Sequence, residues 1–186
     1  MYGEAKMDRL TKENWIAHGF DVLRGPGHEM LKADVMCKSL GVSRGSFYWH
    51  FPSVEHFRTA LLDAWREQNT ENVIADLQSM TDADDQLAAL LQRAIETPQP
   101  LERGIRRWAG ANDKVAQALA AVDRTRADYL TALLISKGLP EQAARDRSVL
   151  LTWAFVGRVF ATSLLDDLAD GFAENISLLF TTKTPD

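Results

Sequence analysis

Apolar residues recur at helical spacing along nearly the whole chain, and no stretch of strand length alternates apolar with polar residues. That regularity excludes sheet-based folds and predicts an all-α protein of about nine helices. Thr11 caps a first helix carrying Trp15, Ile16, Phe20 and Leu23, which ends at Gly25-Pro26-Gly27. A second covers about 32–40, with Met36, Cys37 and Leu40 inward and Gly41 where a C-terminal glycine belongs. Ser43 caps a short third helix, and Val42 and Phe47 are spaced as a hydrophobic staple. Pro52 stops it, and Ser53 caps a fourth with Phe57, Leu61, Ala64 and Trp65, running to about residue 80.

Longer helices follow over about 84–96, 112–137 and 140–166, with a short one at 105–108 and a last one carrying Phe172, Ile176, Leu179 and Phe180. Pro98 and Pro100 break the helix before residue 98, and Gly138 ends the longest. Pro140 opens the next helix, and the tail TTKTPD frays. Helix length alone divides the chain into a three-helix domain over 1–57 and a larger helical domain over 58–186.

The question of what such a bundle does turns on GVSRGSFYWHF, residues 41–51. A helix has one inward stripe, so five consecutive ring-bearing residues cannot all be buried. Phe47 and Phe51 are four apart and share a face with Val42, Leu40 and Met36. Tyr48, Trp49 and His50 then lie on the other sides, each with a polar tip that can donate to a phosphate oxygen; the alternative is packing against the first and fourth helices. The second helix, the glycine turn and the third helix make a helix-turn-helix, a unit that sends the start of its second helix into the DNA major groove. That start is Arg44-Gly45-Ser46. Arg44 can donate twice to guanine O6 and N7, Ser46 can meet a base edge or phosphate, and Gly45 lets the backbone approach the duplex.

The segment from Leu10 to about Trp65 resembles the DNA-binding domain of the tetracycline-repressor (TetR) family of bacterial transcription regulators. Leu40-Gly41-Val42-Ser43-Arg44-Gly45-Ser46-Phe47-Tyr48-Trp49-His50-Phe51, then Ser53 and Glu55, carry the resemblance. It implies that Arg44, Gly45 and Ser46 read bases or neighbouring backbone, and that Ser43, Tyr48, Trp49 and His50 hold phosphates. Lys32 adds a phosphate contact. The rest of the chain resembles the family in character: an all-helical domain that binds a small effector and dimerises. The function implied is a repressor released from operator DNA by a small molecule. Two positions depart from the pattern: Val54 stands where the family often has Lys, and Asp34 where a basic or polar residue is frequent. Both remove positive charge.

Charge alone would not point to DNA. The net charge is −5, and residues 1–57 hold seven Lys/Arg against seven Asp/Glu. This is no basic footprint, so the case rests on geometry.

In the larger domain, the helix over 140–166 is apolar all round: Val149, Leu150, Trp153, Val156, Phe160 and Leu164 on one arc, Leu151, Phe155, Val159 and Leu165 on others. It needs cover on every side, its own core on one and a partner subunit on the other. Ala154, Gly157 and Ala161 allow close helix approach. Val149, Val156 and Phe160 with Phe172, Ile176 and Phe180 therefore predict a two-fold, four-helix homodimer interface. Dimerisation suits two half-sites roughly 34–36 Å apart. Effector-pocket candidates are Trp65, Trp108, Tyr129, Trp153 and Phe155, with Arg106 or Arg158 as polar anchors, though tryptophans at helical spacing are more often core. Arg158 has an alternative in pairing with Asp166 or Asp167.

Other classes fit less well. The apolar run 149–165 is short for a membrane span and contains Arg158, Thr152, Thr162 and Ser163. The single Cys37 gives no disulfide framework and no cysteine zinc site; it reads as a buried small hydrophobe, with a redox sensor as the alternative. The opening segment has no apolar signal core, so a cytoplasmic protein is expected. No phosphate loop, nucleophile elbow or His pair is present, and every histidine falls within residues 1–57. We therefore expect no catalytic residues, no metal site and no cofactor. A helical protein-interaction module remains the third class.

Overall fold

Side chains that supply or withdraw backbone hydrogen-bond partners set the helix ends. In a computed structural model, which describes residues 10–97, 99–161 and 171–182, helix α1 spans Lys12–Arg24. Thr11 and Asn14 form a reciprocal capping box at its start: Asn14 N–H donates to Thr11 Oγ1 at 3.2 Å, and Thr11 N–H to Asn14 Oδ1 at 2.9 Å. After a single 3₁₀ turn, His28–Met30, α2 covers Ala33–Leu40 and ends at Gly41, whose φ of 66° is left-handed. Val42 N–H closes that end on Cys37 O at 3.0 Å, the long bond of a Schellman motif. The glycine is required there because a Cβ at positive φ is strained.

Helix α3 is short, Arg44–His50, and stops at Phe51 in extended backbone before Pro52. Ser43 occupies its N-cap position, but its hydroxyl makes no capping bond. Its carbonyl instead accepts from Ser46 N–H at 3.0 Å and from the Cys37 thiol at 3.6 Å. Ser53 does cap the next helix, accepting from His56 N–H at 3.2 Å. That helix, α4 (Val54–Arg66), runs through a π turn over Glu67–Glu71 straight into α5 (Asn72–Gln78). The π turn has no signature in the apolar spacing.

Helices α6 (Ala83–Glu96), α7 (Pro100–Ala109), α8 (Asp113–Ser136), α9 (Glu141–Phe160) and α10 (Phe172–Thr181) complete the described chain. Counting α4, the π turn and α5 as one helical stretch of sequence, the described residues form nine helices. All regular structure among them is helical. Pro100 is not a break: it stands in the first turn of α7, where a missing N–H costs nothing, so this helix starts five residues before the expected Ile105. The expected helix end near Asp166, the residues Leu164, Leu165, Asp166 and Asp167, and Pro98 lie outside the described residues.

The chain forms two compact units, one up to Ala64 and one from Trp65. The boundary placed near residue 57 falls earlier in the same helix, α4. In the first unit Trp15, Leu31, Met36, Phe47, Phe51, Phe57 and Leu61 are buried. Rings pack edge to face at its centre: Trp15 on Phe47 at 5.2 Å and Phe51 on Phe57 at 5.0 Å between centroids. In the second, Leu87, Leu130, Leu133, Leu134, Leu139, Ala144 and Leu151 form the core, with Leu90, Leu91, Tyr129, Ile176 and Phe180 against it.

Candidate nucleic-acid interface and effector cavity

Burial of Phe47 and Phe51 fixes the rotation of α3, and that rotation decides what the helix presents. Tyr48 and Trp49 stand outward, 42% and 75% exposed. Ser43, Arg44 and Gly45 are exposed beside them, with Ser46 half-buried. Lys32 is also exposed, at the N-cap position of α2. His50 differs from the others. It is half-buried, and its Nε2 lies 2.7 Å from the carbonyl oxygen of Leu10. A carbonyl only accepts, so Nε2 carries the proton and donates it inside the unit. Through Nε2, His50 thus ties α3 to the entry of α1.

Two partners hold Arg44. Asp34 Oδ1 lies 2.9 Å from its Nε, and the Tyr48 ring centroid is 5.9 Å from its guanidinium carbon. Below this surface, burial pushes the Cys37 thiol up, with the Asp34 charge adding to the effect. A buried, protonated thiol is a poor nucleophile and fits the structural reading of Cys37 better than a redox one.

In the second unit the π turn, α5, α6, α7, α8 and α9 line a cavity of about 180 Å³. Val73, Leu90, Leu91, Leu130, Leu151 and Phe155 supply apolar wall. Arg126 is its polar centre. Its Nη1 and Nη2 meet Glu102 at 3.1 and 3.3 Å, its Nε donates to Thr70 Oγ1 at 3.0 Å, and Nη2 also reaches Asn69 O at 3.3 Å. Its guanidinium carbon lies 5.5 Å from the Trp65 ring centroid and 5.4 Å from that of Phe155. Thr70 and Asn69 belong to the π turn, so this irregular turn delivers both groups to the cavity.

Of the expected pocket residues, Tyr129 and Phe155 line the cavity. Trp65 lies against Arg126, off the lining, and Trp108 is buried in the core. Arg106 is buried in an ion-pair cluster, bound to Glu102 at 2.8 Å and by two bonds to Asp123 at 3.0 and 2.7 Å. Burial alone would lower its basicity, but hydrogen bonding to Asp123 and the two carboxylate charges outweigh that and raise it. Arg158 donates to the carbonyl oxygens of Ile95 and Thr97, fastening α9 to the end of α6. Trp153 is 68% exposed and does not line this cavity.

Arg126, Glu102, Thr70 and Asn69 were missed. Arg126 had a signal: it interrupts the apolar stripe Val115, Leu119, Val122, Leu130 and Leu133 of α8 at a helical position where a hydrophobe would be expected.

The apolar residues expected at a dimer interface divide into three groups. Val149 and Phe160 on α9 are exposed, together with Leu150. Val156 and Phe172 are half-buried. Ile176 and Phe180 instead pack onto their own core, because the phase of α10 turns Leu178 and Leu179 outward in their place.

The described residues form an all-helical fold. The chain is similar to the transcriptional regulator FadR from Bacillus subtilis, seen in a crystal structure in complex with stearoyl-CoA. The TM-score is 0.68, covering 92% of this chain and 98% of that one at 15% sequence identity. At that identity the likeness establishes the fold. In sequence, no family model and no curated protein matches. Among the described residues no helix is long and apolar enough to cross a membrane.

Proposed function

We propose that the chain is a sequence-specific DNA-binding regulator of the TetR type, a cytoplasmic homodimeric repressor released from its operator by a small molecule. The observation that carries this reading is the sorting of the ring run. Phe47 and Phe51 anchor α3, while Tyr48 and Trp49 project beside Arg44, Gly45 and Ser46. Gly45 adds independent support. A Cβ there would meet only Ser43 Oγ, at 3.6 Å, so the chain's own packing does not require a glycine. That leaves the backbone at Gly45 open to close approach by a duplex. The unit up to Ala64 holds this surface, and the unit from Trp65 serves effector binding and dimerisation.

The outward stripe of α9 supports the dimer. Leu150, Trp153 and Phe160 are exposed, and a Cβ at Gly157 would have nothing within 4 Å, which leaves room for a partner helix. The cavity around Arg126 is the effector site. Its volume of about 180 Å³ compares with the ~150 Å³ apolar cavity that takes benzene, so the resting site suits a ligand of about one ring. A long acyl chain like that in the FadR complex exceeds this volume.

Retardation of DNA from the gene's own neighbourhood in a gel, weakening as salt rises, tests the reading. Absence of retardation with any sequence drawn from a random pool would sink it.

A further inference from the structure

Asp34 lies in the first turn of α2, and by sequence it registers only as a lost positive charge near DNA. Its position says more. Oδ1 sits 2.9 Å from Arg44 Nε, with the two side chains 67% and 65% exposed. An ion pair this exposed contributes little to folding, so stability gives little reason for an acidic residue there. The choice of nitrogen matters. A carboxylate on Nε engages the side of the guanidinium plane, whereas guanine O6 and N7 take two N–H groups from its end. The Tyr48 ring, 5.9 Å from the guanidinium carbon, constrains the same group from a second direction. A free arginine samples many rotamers and must give them up on meeting a base; one already oriented gives up less.

We propose that Asp34 is a positioning residue for base recognition, orienting Arg44 for guanine while its charge weakens contact with DNA in general. This rests on the reading of α3 as the element that meets DNA. The expected consequence is high discrimination on modest overall affinity, which matches the neutral charge of residues 1–57.

The test uses the full chain and a DNA site selected from a random pool. Affinities are compared for that site, for versions with each guanine replaced, and for unrelated DNA, at one salt concentration. The proteins are wild type, Arg44→Ala, Asp34→Ala and Asp34→Asn. The guanine read by Arg44 is the one whose replacement no longer matters in Arg44→Ala. At that guanine, Asp34→Ala should lose about tenfold in discrimination, within the range a bidentate contact supplies, while unrelated DNA binds more tightly. Asp34→Asn keeps an acceptor for Nε and should retain most of the discrimination. If Asp34→Ala tightens binding to all sequences equally and keeps the guanine preference, Asp34 is only a repulsive charge and the inference falls. If Arg44→Ala keeps every base preference, the reading of α3 falls first, and the inference with it.

Discussion

Glu102→Gln should destabilise the unit that begins at Trp65 more than Arg126→Gln does, although the two residues are partners. Glu102 is buried between two guanidinium groups, with Arg106 Nη2 at 2.8 Å and Arg126 Nη1 at 3.1 Å. The counter-charge on the far side is Asp123, which already holds Arg106 through two bonds and lies 3.8 Å from Arg126. Neutralising Glu102 leaves two largely buried guanidinium groups against one carboxylate, and an uncompensated buried charge costs about 3–5 kcal/mol. Removing Arg126 leaves Glu102 and Asp123 against Arg106, but the surplus charge then falls on Asp123, the most exposed of the four side chains at 26%, where water can solvate it. What is lost then is the donor to Thr70 Oγ1 and Asn69 O, about 1–3 kcal/mol for groups left unsatisfied. The expected gap is roughly 2 kcal/mol. Urea unfolding followed by circular dichroism, at one fixed chain concentration, reads it from the midpoints when the slope is unchanged. If Arg126→Gln costs as much as Glu102→Gln, Arg106 does not hold the Glu102 charge and the cluster is misassigned.

Two glycines should respond oppositely to alanine. Gly45→Ala should raise helix stability by about 0.5–1 kcal/mol and weaken DNA binding; unchanged DNA affinity would mean the backbone of α3 stays clear of the duplex. Gly19→Ala places a Cβ 2.8 Å from Phe57 Cζ and 2.9 Å from Leu61 Cδ1, so calorimetry should show a loss of about 1–3 kcal/mol. Burial lowers the pKa of His18, half-buried with its Nε2 2.7 Å from Ser39 Oγ, below the ordinary 6.5. The unfolded chain then binds a proton at higher pH than the folded one. The His18 contribution is complete above about pH 6.5 and is lost as pH falls through the folded value. His18→Gln should flatten that part of the stability profile, and an unchanged slope would refute the assignment.

The parts of the fold that were legible in the sequence are those set by local chemistry. Thr11, Gly41, Ser53 and Gly138 mark helix ends because caps and left-handed turns depend on a few neighbouring atoms. The split between Phe47 and Phe51 and the outward Tyr48 and Trp49 follows from spacing on one short helix. The cavity was not legible for the same reason in reverse. Arg126, Glu102 and Thr70 meet across three separate segments, and the π turn that turns Thr70 inward leaves no mark on apolar periodicity. His50 shows the limit within a motif. Its ring could serve phosphate or chain, and only the position of the Leu10 carbonyl, forty residues away, decides for the chain.

The central claim is that α3 reads a duplex through Arg44. Selection from a random DNA pool with wild type and Arg44→Ala, alongside sedimentation of both proteins, tests it most directly. Wild type should enrich a site with two related halves roughly 34–36 Å apart, each containing a guanine whose preference disappears in Arg44→Ala while the dimer persists. An identical enriched sequence from both proteins would contradict it.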